Sequence, residues 1–568
     1  MVQSERTSAE SPSIGVVGAG PGGLAAAMLL AASGARVTVY EARSTIGGRT
    51  SRSTVRDGDG RPFHFDTGPT FFLMPYVLEE VFKATGRDLH DYADLRPLEP
   101  MYRLLIGRQD APGAGHEPWT VDATTNVQAM AERLSRIDAA DGARFERFIR
   151  DNRAKLAAAE PILRRPIRSV FDLARPDAMQ AGLHIKPHLT VHSLLSKYFK
   201  HPAVQLAVSF QSKYLGMSPY ECPSLFTILP FIEYEYGIWH PIGGCNALMD
   251  AMARACDEMG VRIETDAPVD ELLFEDDSQQ ARATGLVTKN ERREHDHVVV
   301  NADAAWALKN LIPEEIRART GARYTDRAMD EKRYSCSTYM MYLGVRGEVD
   351  LPHHTIYVSE RYRENLDDIG TGSRLTADGS MYVCNPCRVD PTLAPEGDSA
   401  VYILLPTANL KSGTMDWSVL DAEARELCLG QLESRFGVRD IRDRIVCEKR
   451  YTPEDWRGMN INFGATFNLA HNLGQMLHKR PQHKLQGFEG VWLVGGGTHP
   501  GSGLPVIFLS SQITAKLLCG ETGLSYAGAG CELDTRSGAE ASRSLIRAKQ
   551  GWEESANQAA PTASTAGA

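Results

Sequence analysis

Gly18, Gly20 and Gly23 form the pattern G-x-G-x-x-G, and Glu41 follows 18 residues after the last of them. The chemistry this spacing serves is the capture of a dinucleotide. The first glycine permits a tight turn, the second lets the backbone, with Ala19 and Gly22, approach a diphosphate, and the third allows close packing of helix on strand. A carboxylate at Glu41 accepts hydrogen bonds from a ribose diol and repels a 2′-phosphate. A second glycine cluster, 495-GGGTHPGSGLP-505, lies far downstream and contains His499, the one imidazole close to a glycine loop. Such an element ordinarily opens a nucleotide-binding domain, so its place near the end of the chain needs an explanation.

These residues require an α/β scaffold. From Ile14 the pattern passes from a short apolar run to an Ala/Leu helix and then to VTVY, which is a βαβ unit. Residues 244–259 put Leu248, Met252, Ala255 and Met259 on one helical face. Gly260 ends that helix before the strand-like segments 261–274 and 297–303. The reading is a discontinuous Rossmann-like domain built from 12–80, 240–305 and 485–522. Between its parts lie a helical segment, 81–239, and the sheet part of a mixed α+β substrate domain, 306–484. The small polar residues of 523–568 predict a disordered tail.

Composition narrows the function. The 568 residues suit a multidomain enzyme, and a net charge of -10 argues against nucleic acid as a partner. The ten cysteines form no dense framework, which predicts reduced thiols in the cytoplasm. Cys384 and Cys387 form an isolated C-N-P-C with no second half-site, so no metal is expected there. Residues 144–200 differ from the rest, with 12 Lys or Arg against 5 Asp or Glu among Leu, Ile and Phe.

NAD and FAD both fit the first loop. The continuation 41-EARSTIGGR-49 separates them, because Gly47, Gly48 and Arg49 after the acidic residue resemble the extended fingerprint of FAD-dependent, amine-oxidase-like oxidoreductases. The stretch 63-FHFDTGPTFFLMP-75 resembles the FD-x-GPT element of bacterial carotenoid desaturases of the phytoene and dehydrosqualene (4,4′-diapophytoene) type. The segments 237–261, 301-NADAAW-306, 334-YSCSTYMMYLGV-345, 394-APEG-397, 413-GTMDW-417 and 495–505 continue the resemblance in order. It covers about residues 12 to 520.

That resemblance implies FAD as cofactor, with Gly68, Pro69, Thr70, Val269, Gly497, Thr498, Gly503, Leu504 and Pro505 joining the first loop around it. The terminal cluster then completes the first nucleotide site, with Thr498 offering a hydroxyl or backbone donor and Pro505 in the first turn of a helix facing the flavin. The implied reaction is desaturation of a linear C30 or C40 polyene, by hydride transfer to flavin N5 and loss of a proton. His499 is the candidate proton acceptor. Apolar residues between 190 and 240 would line the substrate channel, and quinone or oxygen would reoxidise the flavin.

A lipid-soluble substrate makes the basic zone, with Arg164, Arg165 and Arg168, the candidate face for an anionic membrane surface, and the protein peripheral to the membrane. A ketolase, oxygenase or isomerase of the same family, or a prenyl-lipid carrier of the same fold, would keep the FAD-like scaffold and differ in the pocket.

Overall fold

The computed structural model describes residues 11–276, 281–319 and 322–559. Five short strands build the first sheet. They are β1 (Ser13–Val17), β2 (Arg36–Tyr40), β3 (Arg262–Glu264), β4 (His297–Val300) and β5 (Val491–Leu493), in the order β5-β4-β1-β2-β3 and all parallel. Three separated parts of the chain thus contribute to one sheet. Strands buried on both faces need uninterrupted apolar runs, which is why GVV, VTVY and HVVV lack the alternation of a half-exposed strand.

Helix α1 (Pro21–Ala32) follows β1 and is buried along Gly22–Leu30. Its run of Ala and Leu suits this position. It packs between α2 (Asn246–Glu258) and α3 (Leu504–Thr522), so small side chains are needed on every side.

The second body is a seven-stranded mixed sheet. Its strands run in the order Ile445–Tyr451, Ser337–Val345, Ser399–Thr407, Met381–Cys384, His354–Val358, Tyr102–Ile106 and Trp119–Ala123. The helix Trp417–Ser434 covers one face through Trp417, Cys428 and Leu432. A hairpin, Arg52–Arg56 with Pro62–Asp66, ends beside the first sheet. There the Asp66 carboxylate accepts the backbone N–H groups of Cys245 (2.8 Å) and Asn246 (3.0 Å), fixing the start of α2.

The third part is helical, including Phe145–Leu163, Pro176–Ile185 and Ile228–Tyr236. Two expectations need correction here. The tail is not disordered from residue 523, because a helix spans Thr535–Ala559 and docks on the helical part. Leu533 N–H donates to Glu80 (2.7 Å), Arg543 pairs with Glu235 (3.3 Å) and Lys549 with Asp94 (2.7 Å). The small residues that suggested disorder are what permit the contact, since a Cβ on Gly538 would stand 2.8 Å from the Tyr76 ring. The end of the expected tail, residues 560–568, lies outside the described residues.

The basic zone is also less free than its charge implies. Arg164 bonds both oxygens of buried Glu80 (2.8 and 3.0 Å) and reaches Glu160, while Arg165 pairs with Asp177. Of the three arginines only Arg168 is exposed. Its surface also carries large apolar side chains: Phe171 is 81% exposed and Leu183 78%, with Val170 and Met179 beside them in sequence. No helix among the described residues is long and apolar enough to cross a membrane.

Candidate cofactor and substrate site

The first glycine loop joins β1 to α1. Gly18 has φ +96°, and a Cβ there would lie 2.8 Å from the Asn301 carbonyl oxygen. At Gly23 a Cβ would come within 2.1 Å of the Gly18 carbonyl oxygen, so helix and strand meet only because the side chain is missing. Gly20 caps α1 in an extended conformation with no side chain bonded to the first turn. That turn therefore presents backbone N–H groups and the positive end of the helix dipole.

Glu41 directly follows β2, with its carboxylate turned to the loop. It accepts Ala19 N–H at 2.9 Å and Arg43 N–H at 3.1 Å. Val269 lies in the same region. It opens a strand two residues after Ala267, whose N–H binds the Glu41 carbonyl, and it packs with Val17 and Tyr40.

The second glycine pair closes over the first. Gly47 N–H donates to the Ala19 carbonyl (2.8 Å), and a Cβ on Gly48 would stand 3.5 Å from Gly20 Cα. Arg49 points away from both, into a buried polar cluster. Its guanidinium donates to the Thr466 carbonyl (2.8 Å) and to the Asn468 side-chain oxygen (3.0 and 3.2 Å), whose amide nitrogen in turn reaches Asp303 at 2.6 Å. Arg480 joins from below, donating to the carbonyls of Leu469 (3.1 Å) and Gly496 (2.7 Å). Burial pushes Asp303 up and both guanidiniums down, Arg480 to about 10, while the attraction between the opposite charges resists each shift.

The terminal cluster sits against this assembly. A Cβ on Gly22 would meet Asn301 Oδ1 (2.6 Å), Ile507 Cγ2 (3.1 Å) and Gly495 Cα (3.3 Å), and one on Gly497 would strike Ala304 Cβ at 2.5 Å. Gly503, at φ +115°, caps α3 without a side-chain bond, and Leu504 and Pro505 form the first turn, where proline is tolerated. Two helices thus begin here with uncapped first turns.

Thr498 departs from expectation. Its hydroxyl donates to the Pro481 carbonyl and its N–H to the Gly495 carbonyl, so both donors are spent within the protein. His499 is turned toward the helical part. Its Nε2 contacts the Ile162 carbonyl at 3.0 Å, and burial drives its pKa down to about 4, which makes it a weak base. It ties the terminal loop to the end of the helix Phe145–Leu163, and its buried Nδ1 completes no hydrogen bond.

Gly68, Pro69 and Thr70 pass from the hairpin to the substrate half. A Cβ on Gly68 would lie 2.5 Å from the Arg49 carbonyl oxygen, and Tyr402 donates to the Gly68 carbonyl at 2.8 Å. Thr70 hydrogen-bonds the Tyr382 hydroxyl. Beyond it an aromatic file leads into the helical part, with ring centres at 5.3 Å for His354 and Phe71, 5.4 Å for Phe71 and Tyr214, 5.9 Å for Tyr214 and Phe210, and 5.3 Å for Phe210 and Tyr102.

The residues present fit a large dinucleotide. Close-packed glycines leave room for nothing larger than hydrogen along the cradle. Asn462 Nδ2, Thr466 Oγ1, His471 Nδ1 and Asn472 Oδ1, buried atoms of a segment that bonds Arg49 through Thr466 and Ser502 through His471, find no protein partner. Buried polar atoms left unpaired are costly, so a polar ligand is the natural occupant. Sequence reasoning missed Asn301, Asp303, Asn468 and Arg480. The first two lie within NADAAW, where an Asn-x-Asp after a buried strand was a usable signal; Asn468 and Arg480 carried none.

A family model described as "Flavin containing amine oxidoreductase" matches residues 21–519. The chain is 40% identical over 504 residues to a 4,4′-diapophytoene desaturase (4,4′-diapolycopene-forming) from Methylomonas sp, covering 89% of this chain and 94% of the relative. It is 36% identical over 512 residues to an all-trans-zeta-carotene desaturase from Myxococcus xanthus, covering 89% and 93%. Among solved structures, an oxidoreductase from Methanosarcina mazei shares the fold with a TM-score of 0.60 at 17% identity, covering 89% of this chain and all of that one.

Proposed function

The chain belongs to the flavin-containing amine oxidoreductases and, within them, to the carotenoid desaturases, and we propose that its substrate is the linear C30 polyene dehydrosqualene, with C40 phytoene as the alternative. It is an FAD-dependent oxidoreductase acting on CH–CH groups. The observation that carries the C30 reading is the 40% identity to a diapophytoene desaturase across nearly the whole of both chains.

FAD supplies the hydride acceptor for desaturation. The chain's own residues hold, orient and keep water out. The first turn of α1 and the Gly47–Gly48 turn hold the diphosphate, Glu41 the ribose, and the first turn of α3, after Gly503, favours negative charge on the ring. Arg49 acts at one remove. With Asn468 and Asp303 it fixes the segment 462–472, whose unpaired polar atoms face the cofactor.

The aromatic file from Phe71 to Tyr102 supports a dry channel for the polyene, bordered by the buried carboxyl of Glu233 at its far end (Tyr102 Oη to Glu233, 2.9 Å). The exposed Phe171, Met179 and Leu183, with exposed Arg168, Arg175 and Lys186 in the same stretch of sequence, support a membrane face through which a hydrocarbon would enter. Apolar insertion carries this reading, and the arginines first considered for it do not. Quinone and oxygen both remain acceptors for the returning electrons.

Incubation of purified protein with dehydrosqualene and, separately, with phytoene tests the assignment. Faster formation of longer conjugated products from the C30 substrate is expected. A product carrying oxygen, or a geometric isomer without new double bonds, would move the chain to the ketolase or isomerase reading.

A further inference from the structure

On the substrate sheet, two neighbouring histidines and a cysteine point their ligand atoms at one another. One ligand atom each from His353, His354 and Cys384 lies within 4.8 Å of the other two, and all three residues are buried. His354 and Cys384 are register partners on the adjacent antiparallel strands His354–Val358 and Met381–Cys384, and His353 immediately precedes the first.

The surrounding hydrogen bonds fix what each ring presents. Asp390 accepts Gly243 N–H (2.6 Å) on one oxygen and Thr392 N–H (3.1 Å) on the other, as an ionised carboxylate does. His240 Nε2, 3.2 Å from Asp390, must therefore carry the proton, which leaves its Nδ1 as acceptor. His353 Nε2 lies 3.0 Å from that Nδ1 and must donate to it. The lone pair of His353 is then on Nδ1, 3.7 Å from Cys384 Sγ. His354 follows the same logic. Its Nδ1 meets the Met101 carbonyl at 3.3 Å and carries the proton, while its buried Nε2 completes no hydrogen bond, the Thr70 backbone being the other polar group against the ring. Two imidazole lone pairs and a thiol converge, and a carboxylate acting through His240 orients one of them in the manner of carboxylate–histidine–metal sites.

We propose that His353, His354 and Cys384 form a binding site for one zinc-class divalent cation. A nitrogen and a sulfur bound to one tetrahedral zinc at about 2.05 and 2.3 Å are separated by about 3.5 Å, close to the spacing of His353 Nδ1 and Cys384 Sγ. Binding displaces the thiol proton to solvent and changes no oxidation state. Two imidazoles with one thiolate favour zinc over the hard cations calcium and magnesium. The ion would pin two strands of the substrate sheet and, through His240 and Asp390, the segment that leads into α2. This role is independent of which polyene is the substrate.

The test uses tag-free, FAD-loaded protein. After zinc supplementation and dialysis against metal-free buffer, elemental analysis should give close to one zinc per chain. Replacement by cobalt(II) should add ligand-field bands to the red of the flavin spectrum. Cys384→Ser and His354→Gln should each lower bound metal at least about tenfold with FAD content unchanged, and Cys387→Ser should keep both. If the first two variants lose FAD or fail to fold, Asp390→Asn should still weaken zinc retention against a competing chelator by about tenfold or more. Wild-type protein that carries FAD but takes up neither zinc nor cobalt overturns the proposal. So does metal that survives Cys384→Ser, or an Asp390→Asn variant that retains zinc as wild type does.

Discussion

The hydroxyl of Ser511 donates to the carbonyl oxygen of Gly22 at 2.8 Å, joining residues 489 positions apart in sequence. The end of the chain thereby closes the loop made by its beginning. A Val at position 22 would drive its Cβ toward Asn301, Ile507 and Gly495 together. Gly22→Val is expected to weaken FAD retention at least about tenfold, since the Gly495 backbone behind two packed side chains cannot yield as a flexible side chain would. Ser511→Ala should cost only about 0.5–1.5 kcal/mol of stability and retain the cofactor. Flavin absorbance relative to protein, with urea midpoints, checks the ranking.

Asp303 is the carboxylate that answers two guanidiniums, half-buried Arg49 and buried Arg480. Its removal leaves both positive charges without compensation, and Asp303→Ala is expected to cost about 3–5 kcal/mol in urea unfolding. Adding Arg480→Met should recover part of that loss. A change below about 1 kcal/mol would show that the cluster does not hold the site together.

Glu233 carries a pH signature. It is fully buried, and burial raises its pKa to about 7 despite hydrogen bonds from Gln211 and Tyr102. A carboxyl whose folded pKa lies above the unfolded value stabilises the native state below about pH 4.5. That contribution is lost as pH rises toward 7, because the unfolded chain releases its proton first. The loss should reach about 3 kcal/mol, and the difference in stability between wild type and Glu233→Gln should follow that slope. Parallel curves for the two proteins between pH 4.5 and 7 would contradict it.

Membrane docking separates insertion from charge. Phe171→Asp with Leu183→Asp should lower cosedimentation with anionic liposomes several-fold and leave folding within about 0.5 kcal/mol, because both side chains are exposed. Arg164→Glu should instead destabilise the protein, since Arg164 neutralises buried Glu80. Unchanged liposome binding by the double aspartate variant would remove this face from the account.

The sequence made some of this site legible for physical reasons. The glycine spacing and Glu41 were readable because backbone approach tolerates no side chain there, and three such positions at fixed offsets are seldom accidental. The parallel sheet was readable because doubly buried strands are uniformly apolar. What escaped were pairings across long separations. Arg49 was legible as part of an FAD-type fingerprint but not its bonds to Thr466 and Asn468, and nothing local to Arg480 marks it as buried. The tail was misread because small residues signal either little to bury or very close packing, and Gly538 against Tyr76 is the second case.

The central claim is one flavin site, built from both ends of the chain and used to desaturate a polyene. Anaerobic titration of the purified protein with dehydrosqualene tests it most directly. The account predicts one FAD per chain, bleaching of its absorbance on addition of substrate, and a product with additional conjugated double bonds. A protein that holds one FAD per chain and stays yellow with both dehydrosqualene and phytoene, yielding no new conjugation, would contradict it.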